Sequence, residues 1–186
     1  YSFVTTSDIT AANSGGTVSF LNIPVYEGTY ITSTYTVDTS SQDQRFLLSD
    51  NRSDISTLTV QVQNSDTDTE VIAFAKATDI TQLTADSPVY FCQEAEAGKF
   101  EVYFGDGIVS KALVDGNIVT LKYVVTNKTA ANGVSSFTSP SSISGATAIN
   151  VQTVGRAVGG AEPESINSIK LKAPLDYASQ GRAVTI

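Results

Sequence analysis

The sequence holds no histidine, no methionine and no tryptophan, and one cysteine, Cys92, among its 186 residues. Without histidine there is no Ser-His-Asp or Cys-His catalysis, no histidine-ligated zinc and no histidine pH switch. Any enzymatic route would have to use carboxylate, lysine or tyrosine chemistry. A lone cysteine allows no internal disulfide, and within Val89-Tyr90-Phe91-Cys92 it reads as a small buried hydrophobe. No apolar run approaches the ~20 residues that span a bilayer, and no signal-peptide pattern opens the chain. Positive charge is also scarce: 11 Lys and Arg against 19 Asp and Glu leave a net charge of −8. That balance opposes non-specific contact with nucleic acid or an anionic membrane surface, so neither is an expected partner. With no initiator methionine, the chain beginning at Tyr1 is expected to be a fragment of something longer.

What is present is β-forming. Threonine, serine, valine and isoleucine are abundant, and the tyrosines and phenylalanines lie in short alternating runs. The clearest alternation is Ser56 to Gln63, with Leu58, Val60 and Val62 on one face and Thr57, Thr59, Gln61 and Gln63 on the other. Val71 to Ala77 is its expected partner. Further strands are expected over Thr17 to Ile23, Tyr30 to Val37, Val89 to Gln93 and Ala148 to Val154. Phe100 to Val125 reads as a twisted ribbon: Phe100, Val102 and Phe104 on one face, a break at Gly105-Asp106-Gly107, then Val119, Leu121, Tyr123 and Val125. The single helix signal is Glu162-Pro163-Glu164 followed by Ile166, Ile169 and Ala173 at helical spacing, with Pro174 expected to stop it. The expected fold is mainly β (α+β overall): antiparallel ribbons or sandwich-like sheets with one short helix near the C-terminal end. Three stretches are expected: a β-rich lobe over 1–80, a ribbon lobe with a long polar loop over 81–154, and a glycine turn, helix and tail over 155–186.

Candidate chemistry is thin. Ala148 to Lys172 has the strand, glycine turn and helix outline of a phosphate-binding unit. However, its glycines are spaced GxxxGG rather than GxGxxG, and Glu162 and Glu164 would repel a phosphate at the helix N-terminus. Asp66, Asp68 and Glu70 alternate like calcium ligands but fall short of six oxygens and have no glycine among them, so a solvated turn is the better reading. Glu94, Glu96, Glu101 and Asp106 could supply a carboxylate pair for glycoside hydrolysis, yet carboxylates beside glycine turns are ordinary surface residues. No catalytic residue, cofactor or metal site is assigned, and the chain is expected not to be an enzyme.

Several stretches in order resemble the baseplate wedge proteins of T-even-like contractile-tailed phages, within the wider baseplate J-like family. They are Val25-Tyr26-Glu27-Gly28, Arg52 to Val60, Ser87-Pro88-Val89-Tyr90-Phe91, Phe100 to Gly107, Gly116-Asn117-Ile118-Val119 and Ala131-Asn132-Gly133. The series continues in Gly159-Gly160-Ala161-Glu162-Pro163-Glu164-Ser165-Ile166, in Ala173-Pro174 and in Arg182-Ala183-Val184-Thr185. The chain looks like a middle portion of such a protein. The resemblance implies a structural virion protein of the tail baseplate, assembled in the host cytoplasm, with other wedge subunits and copies of itself as partners. It further implies an inner ring that relays the rearrangement triggering sheath contraction. The motif residues it singles out are Phe104, Gly105, Asp106, Gly107, Asn117, Asn132, Gly133, Gly159, Gly160, Glu164 and Ser165. The two glycines at 159 and 160 are expected to set the entry angle of the helix and to hinge two lobes. The alternative is a β-sandwich carbohydrate-binding or adhesin-type module, which the threonine-rich strands fit and the missing tryptophan disfavours.

Overall fold

The computed structural model describes residues 1–41, 44–139, 142–143 and 145–179. Its strands are β1 (Phe3–Val4), β2 (Asn13–Ser14), β3 (Thr17–Val18), β4 (Tyr26–Glu27), β5 (Thr29–Thr36), β6 (Phe46–Leu47), β7 (Ser53–Gln63), β8 (Val71–Lys76), β9 (Val89–Glu94), β10 (Phe100–Phe104) and β11 (Ile118–Val125). The α-helix α1 spans Ile166–Ser179. The chain divides into two compact units, 1–127 and 128–186.

The first unit is built on one seven-stranded sheet in the order β5-β11-β7-β8-β9-β10-β6. Its pairs are antiparallel except β8 with β9, which run parallel. Strands from before and after residue 80 therefore share this sheet. The sheet curls nearly into a barrel, and its two edge strands meet through a side chain. Tyr35 on β5 donates its hydroxyl to Leu47 O on β6 at 2.9 Å and lays its ring 5.3 Å from that of Phe46.

The alternating residues fill the inside. Leu58, Val60 and Val62 of β7, Val119, Leu121 and Tyr123 of β11, and Val102 of β10 are buried together with Leu48, Phe46 and Phe74. Each such side chain stabilises the fold by about 1.5–3 kcal/mol when fully buried. The pattern is interrupted once. Lys122 pairs with Thr59 and Val124 with Asp54, so Ile55 to Leu58 bulge opposite the single residue Tyr123. The bulge turns Thr57, expected to face out, into the interior. There its hydroxyl accepts the Val124 N–H at 3.0 Å and donates to Asp54 O at 2.7 Å, replacing the lost ladder bonds.

Four expectations are corrected. β10 and β11 are strands with the expected inward faces, but they do not form a ribbon with each other: β10 lies between β9 and β6, and β11 between β5 and β7. The connection of residues 105–117 is far longer than a hairpin turn and instead folds back on itself, Gly105 bridging to Ala112. The stretch 17–23 is strand only at Thr17–Val18, paired with β2, and Phe20, Leu21 and Ile23 stay exposed. Residues 148–154 form no strand; Val151 and Val154 are exposed and no ladder partner is at hand. Finally, α1 passes through Pro174 to Ser179, with Ile166 and Ile169 exposed rather than docked. Proline removes one helical N–H, which frees the Lys170 carbonyl, and on an exposed helix water can take that acceptor.

Candidate functional site

The motif residues build two local constructions, one in each unit. In the first, Phe104 ends β10 with its ring set edge-on to Phe46 at 5.7 Å and to Phe74 at 5.3 Å, so the strand is anchored in the core before it turns. Gly105 then lies against Ser110, where a Cβ would fall 1.9 Å from the Ser110 hydroxyl and 2.6 Å from its carbonyl oxygen. Asp106 closes the turn, its Oδ1 accepting the N–H of Ile108 at 2.9 Å and of Val109 at 3.3 Å. Those two backbone donors hold its carboxyl below the usual range. Gly107 takes φ +82° and donates its N–H to Ser110 O at 2.9 Å. Ser110 itself is fully buried, and its hydroxyl has no hydrogen-bond partner among the described residues.

At the other end of this excursion Asn117 is buried and serves three backbone groups. Its Oδ1 accepts Val114 N–H at 2.8 Å, its Nδ2 donates to Asn64 O at 2.8 Å, and its own carbonyl accepts Val37 N–H at 2.8 Å. One residue thus ties the loop before β11 to the turn after β7 through its side chain and to the end of β5 through its backbone.

In the second unit the chain crosses itself. Asn132 Nδ2 donates to Gly160 O at 2.8 Å, and Asn132 Oδ1 accepts Gly160 N–H at 3.0 Å, a reciprocal amide pair. Beside it Gly133 N–H donates to Ala157 O and Ala157 N–H to Val134 O, both at 2.8 Å. Gly160 is pressed against Lys128: a Cβ there would stand 2.1 Å from the Lys128 carbonyl oxygen. Lys128 Nζ pairs with Glu162 at 3.2 Å. Gly159 supplies φ +94° for the approach. Gly160 is thus bonded to Asn132 through both its N–H and its C=O. Five residues later Ser165 caps α1, its hydroxyl accepting Ser168 N–H at 3.3 Å. Glu164 adds a bond from the Ser168 hydroxyl at 2.5 Å and an ion pair with Lys172 at 2.6 Å, Lys172 first and Ser168 second holding its carboxyl low. The motif stretch Arg182 to Thr185 lies outside the described residues.

The other candidates are separate from these. Glu101 is held by Arg45 and Gln93, both at 2.6 Å, with Arg45 stacked 5.1 Å above the Tyr103 ring. Of these, Arg45 and Tyr103 line a hollow of about 450 Å³ together with Gln44 and Asp106. Glu94 and Glu96 sit apart at the exposed end of β9 and in the turn after it. Asp68 closes a turn through Asn64 Nδ2 at 2.9 Å and Glu70 N–H at 3.1 Å. Among the described residues no three His, Cys, Asp or Glu side chains gather as a metal cluster. Cys92 packs against the core, and burial pushes its thiol up.

Three contacts carry no local signal in the sequence. Tyr123 reaches Ser49, Gly160 backs onto Lys128, and the Glu27 carboxylate takes Asn127 through its N–H at 2.8 Å and its Nδ2 at 2.6 Å.

Fold and motif residues together define a mainly β chain whose distinctive positions serve turns, a crossing and a helix cap. No family model matches the chain. It is similar to the baseplate wedge protein gp6 of Enterobacteria phage T4, 28% identical over a 122-residue alignment that covers 53% of this chain and 18% of that protein. The chain therefore spans less than a fifth of that relative's length.

Proposed function

We propose that the chain is a structural portion of a phage-tail baseplate wedge, without catalytic activity. In the virion it joins other wedge subunits and copies of itself in the inner ring and relays the rearrangement that triggers sheath contraction. The observation that carries this reading is the partial likeness to the T4 wedge protein. The motif residues add to it, because they fix turns and a chain crossing, as an assembly protein requires.

The sheet edge supports the same reading. Among the described residues β5 is laddered only to β11, and over Thr29–Thr36 it carries no charge, proline or glycine. Val37 N–H bonds Asn117 O, so alternation turns the backbone groups of Thr32, Thr34 and Thr36 away from β11. Proteins that keep strand edges to themselves guard them with charge, proline, bulges or closure; this edge has none of the first three and meets β6 through the Tyr35 side chain with no backbone ladder, which leaves its outward backbone groups to take a strand from a neighbouring subunit.

The test is genetic. Particles produced after deletion of this reading frame are expected to lack complete baseplates in electron micrographs, with heads assembled normally. Normal contractile tails in the deletion would overturn the reading.

A further inference from the structure

The sequence contains Asp106-Gly107, Asp115-Gly116 and Asn132-Gly133. Pairs of this kind age chemically, because an unhindered glycine lets its backbone nitrogen reach the preceding side-chain carbonyl carbon and close a five-membered imide. In each pair the nitrogen that would attack is already committed. Gly107 N–H donates to Ser110 O at 2.9 Å, Gly116 N–H to Val37 O at 3.0 Å and Gly133 N–H to Ala157 O at 2.8 Å. The aspartate side chains are held as well, Asp106 by Ile108 and Val109 and Asp115 by Thr39, but each presents a carboxylate, whereas Asn132 presents an uncharged amide whose carbonyl carbon is the better electrophile. Its side-chain amide is locked in the reciprocal pair with Gly160. Asn132 is exposed, so its protection comes from this geometry and not from exclusion of water.

We propose that Asn132-Gly133 is a latent deamidation site, kept unreactive by the chain crossing and converted only when residues 132–134 separate from 157–160. On separation Gly133 N gives its proton to a solvent base and bonds to Asn132 Cγ. The Cγ–Nδ2 bond breaks as Nδ2 takes a proton from solvent and leaves as ammonia. Water then opens the imide at either carbonyl, leaving aspartate or isoaspartate at position 132. Neither product restores the crossing. A carboxylate has no N–H for Gly160 O and sets negative charge against that carbonyl, and isoaspartate also lengthens the backbone by a methylene between 132 and 133. The site thus records, irreversibly, how often the crossing has opened.

The purified full chain and a synthetic peptide of residues 128–137 are incubated side by side at mildly alkaline pH. Peptide mapping by mass spectrometry then separates the three forms at position 132. Conversion is expected to be at least about tenfold slower in the folded chain than in the peptide, as local opening sets the rate. Equal rates would overturn the proposal. Gly160→Ala, which drives a Cβ against Lys128 O, is expected to bring conversion close to the peptide rate. An unchanged slow rate in that folded variant would contradict it. Should Gly160→Ala not fold, the unaltered chain still decides the matter in sub-denaturing urea. Conversion there must rise in step with hydrogen exchange at the Gly133 amide, and conversion indifferent to that exchange would refute the gate.

Discussion

Gly105 and Ser110 lie so close that no side chain fits between them: a Cβ on Gly105 would stand 1.9 Å from the Ser110 hydroxyl and 2.6 Å from the Ser110 carbonyl. Gly105→Ala is therefore expected to cost about 1–3 kcal/mol through forced displacement of the turn, read as a lowered urea midpoint. The Ser110 hydroxyl is buried without a partner among the described residues. Ser110→Ala is expected to be neutral or to stabilise by up to about 1 kcal/mol. It does not rescue Gly105→Ala, because the carbonyl remains. Full rescue in the double variant would show that the hydroxyl alone makes the contact.

Tyr123 is fully buried, and its hydroxyl accepts Ser49 N–H at 3.2 Å and meets the Ser49 hydroxyl at 3.0 Å. Tyr123→Phe keeps the ring but removes both bonds to Ser49, a residue exposed to water. A loss of about 0.5–1.5 kcal/mol is expected in chemical denaturation, with the sheet's far-UV spectrum unchanged. Stability equal to the unaltered chain would mean that water replaces the hydroxyl.

The pH dependence of stability should show a plateau. Glu101 is held low by Gln93 and Arg45, Asp106 by backbone N–H groups, and Glu164 by Lys172 and Ser168. Carboxyls with depressed folded values favour the fold above their unfolded range of about 4, and that contribution is lost as pH falls through the folded values. Burial pushes Cys92, Tyr90 and Tyr35 up. Raised groups contribute below their unfolded values, about 8.5 for a thiol and about 10 for a phenol, and the contribution is lost as pH rises through the folded ones. With no histidine to titrate between, thermal midpoints are expected to be flat from about pH 5 to about pH 8. A step near pH 6.5, the ordinary histidine range, would contradict this assignment of the titrating groups.

The edge of β5 can be closed without disturbing its ladder. Thr34 turns its N–H away from β11, so Thr34→Pro removes only an outward donor. The variant is expected to fold with a near-normal thermal midpoint yet to recover less neighbouring wedge subunit in co-purification. Undiminished recovery would remove β5 as the docking edge.

The core was legible wherever two-residue alternation is strict. Leu58, Val60 and Val62, and Val119, Leu121 and Tyr123, are inward as the pattern requires. Pairing was legible where a short turn joins two neighbours, since the strand over Val71 to Lys76 does partner β7, and not elsewhere: periodicity says which face a strand buries but not which strand lies beside it. β10 and β11 are adjacent in sequence yet belong to different parts of the sheet. Thr57 escaped because a bulge shifts parity without changing composition. The helix start was partly legible, since Glu164 and Ser165 do open α1. Its end was not, because proline in a sequence signals a stop, whereas this exposed helix runs through Pro174. At the motif glycines the sequence showed that something must turn. The reason at Gly105 and Gly160 is close approach of distant backbone, which only the folded chain displays.

The account rests most directly on assembly. The intact reading frame that contains this chain, co-expressed with its genomic neighbours and followed by size-exclusion chromatography with light scattering, is expected to elute as a stable heteromeric complex. A strictly monomeric protein that ignores those neighbours would contradict the wedge assignment.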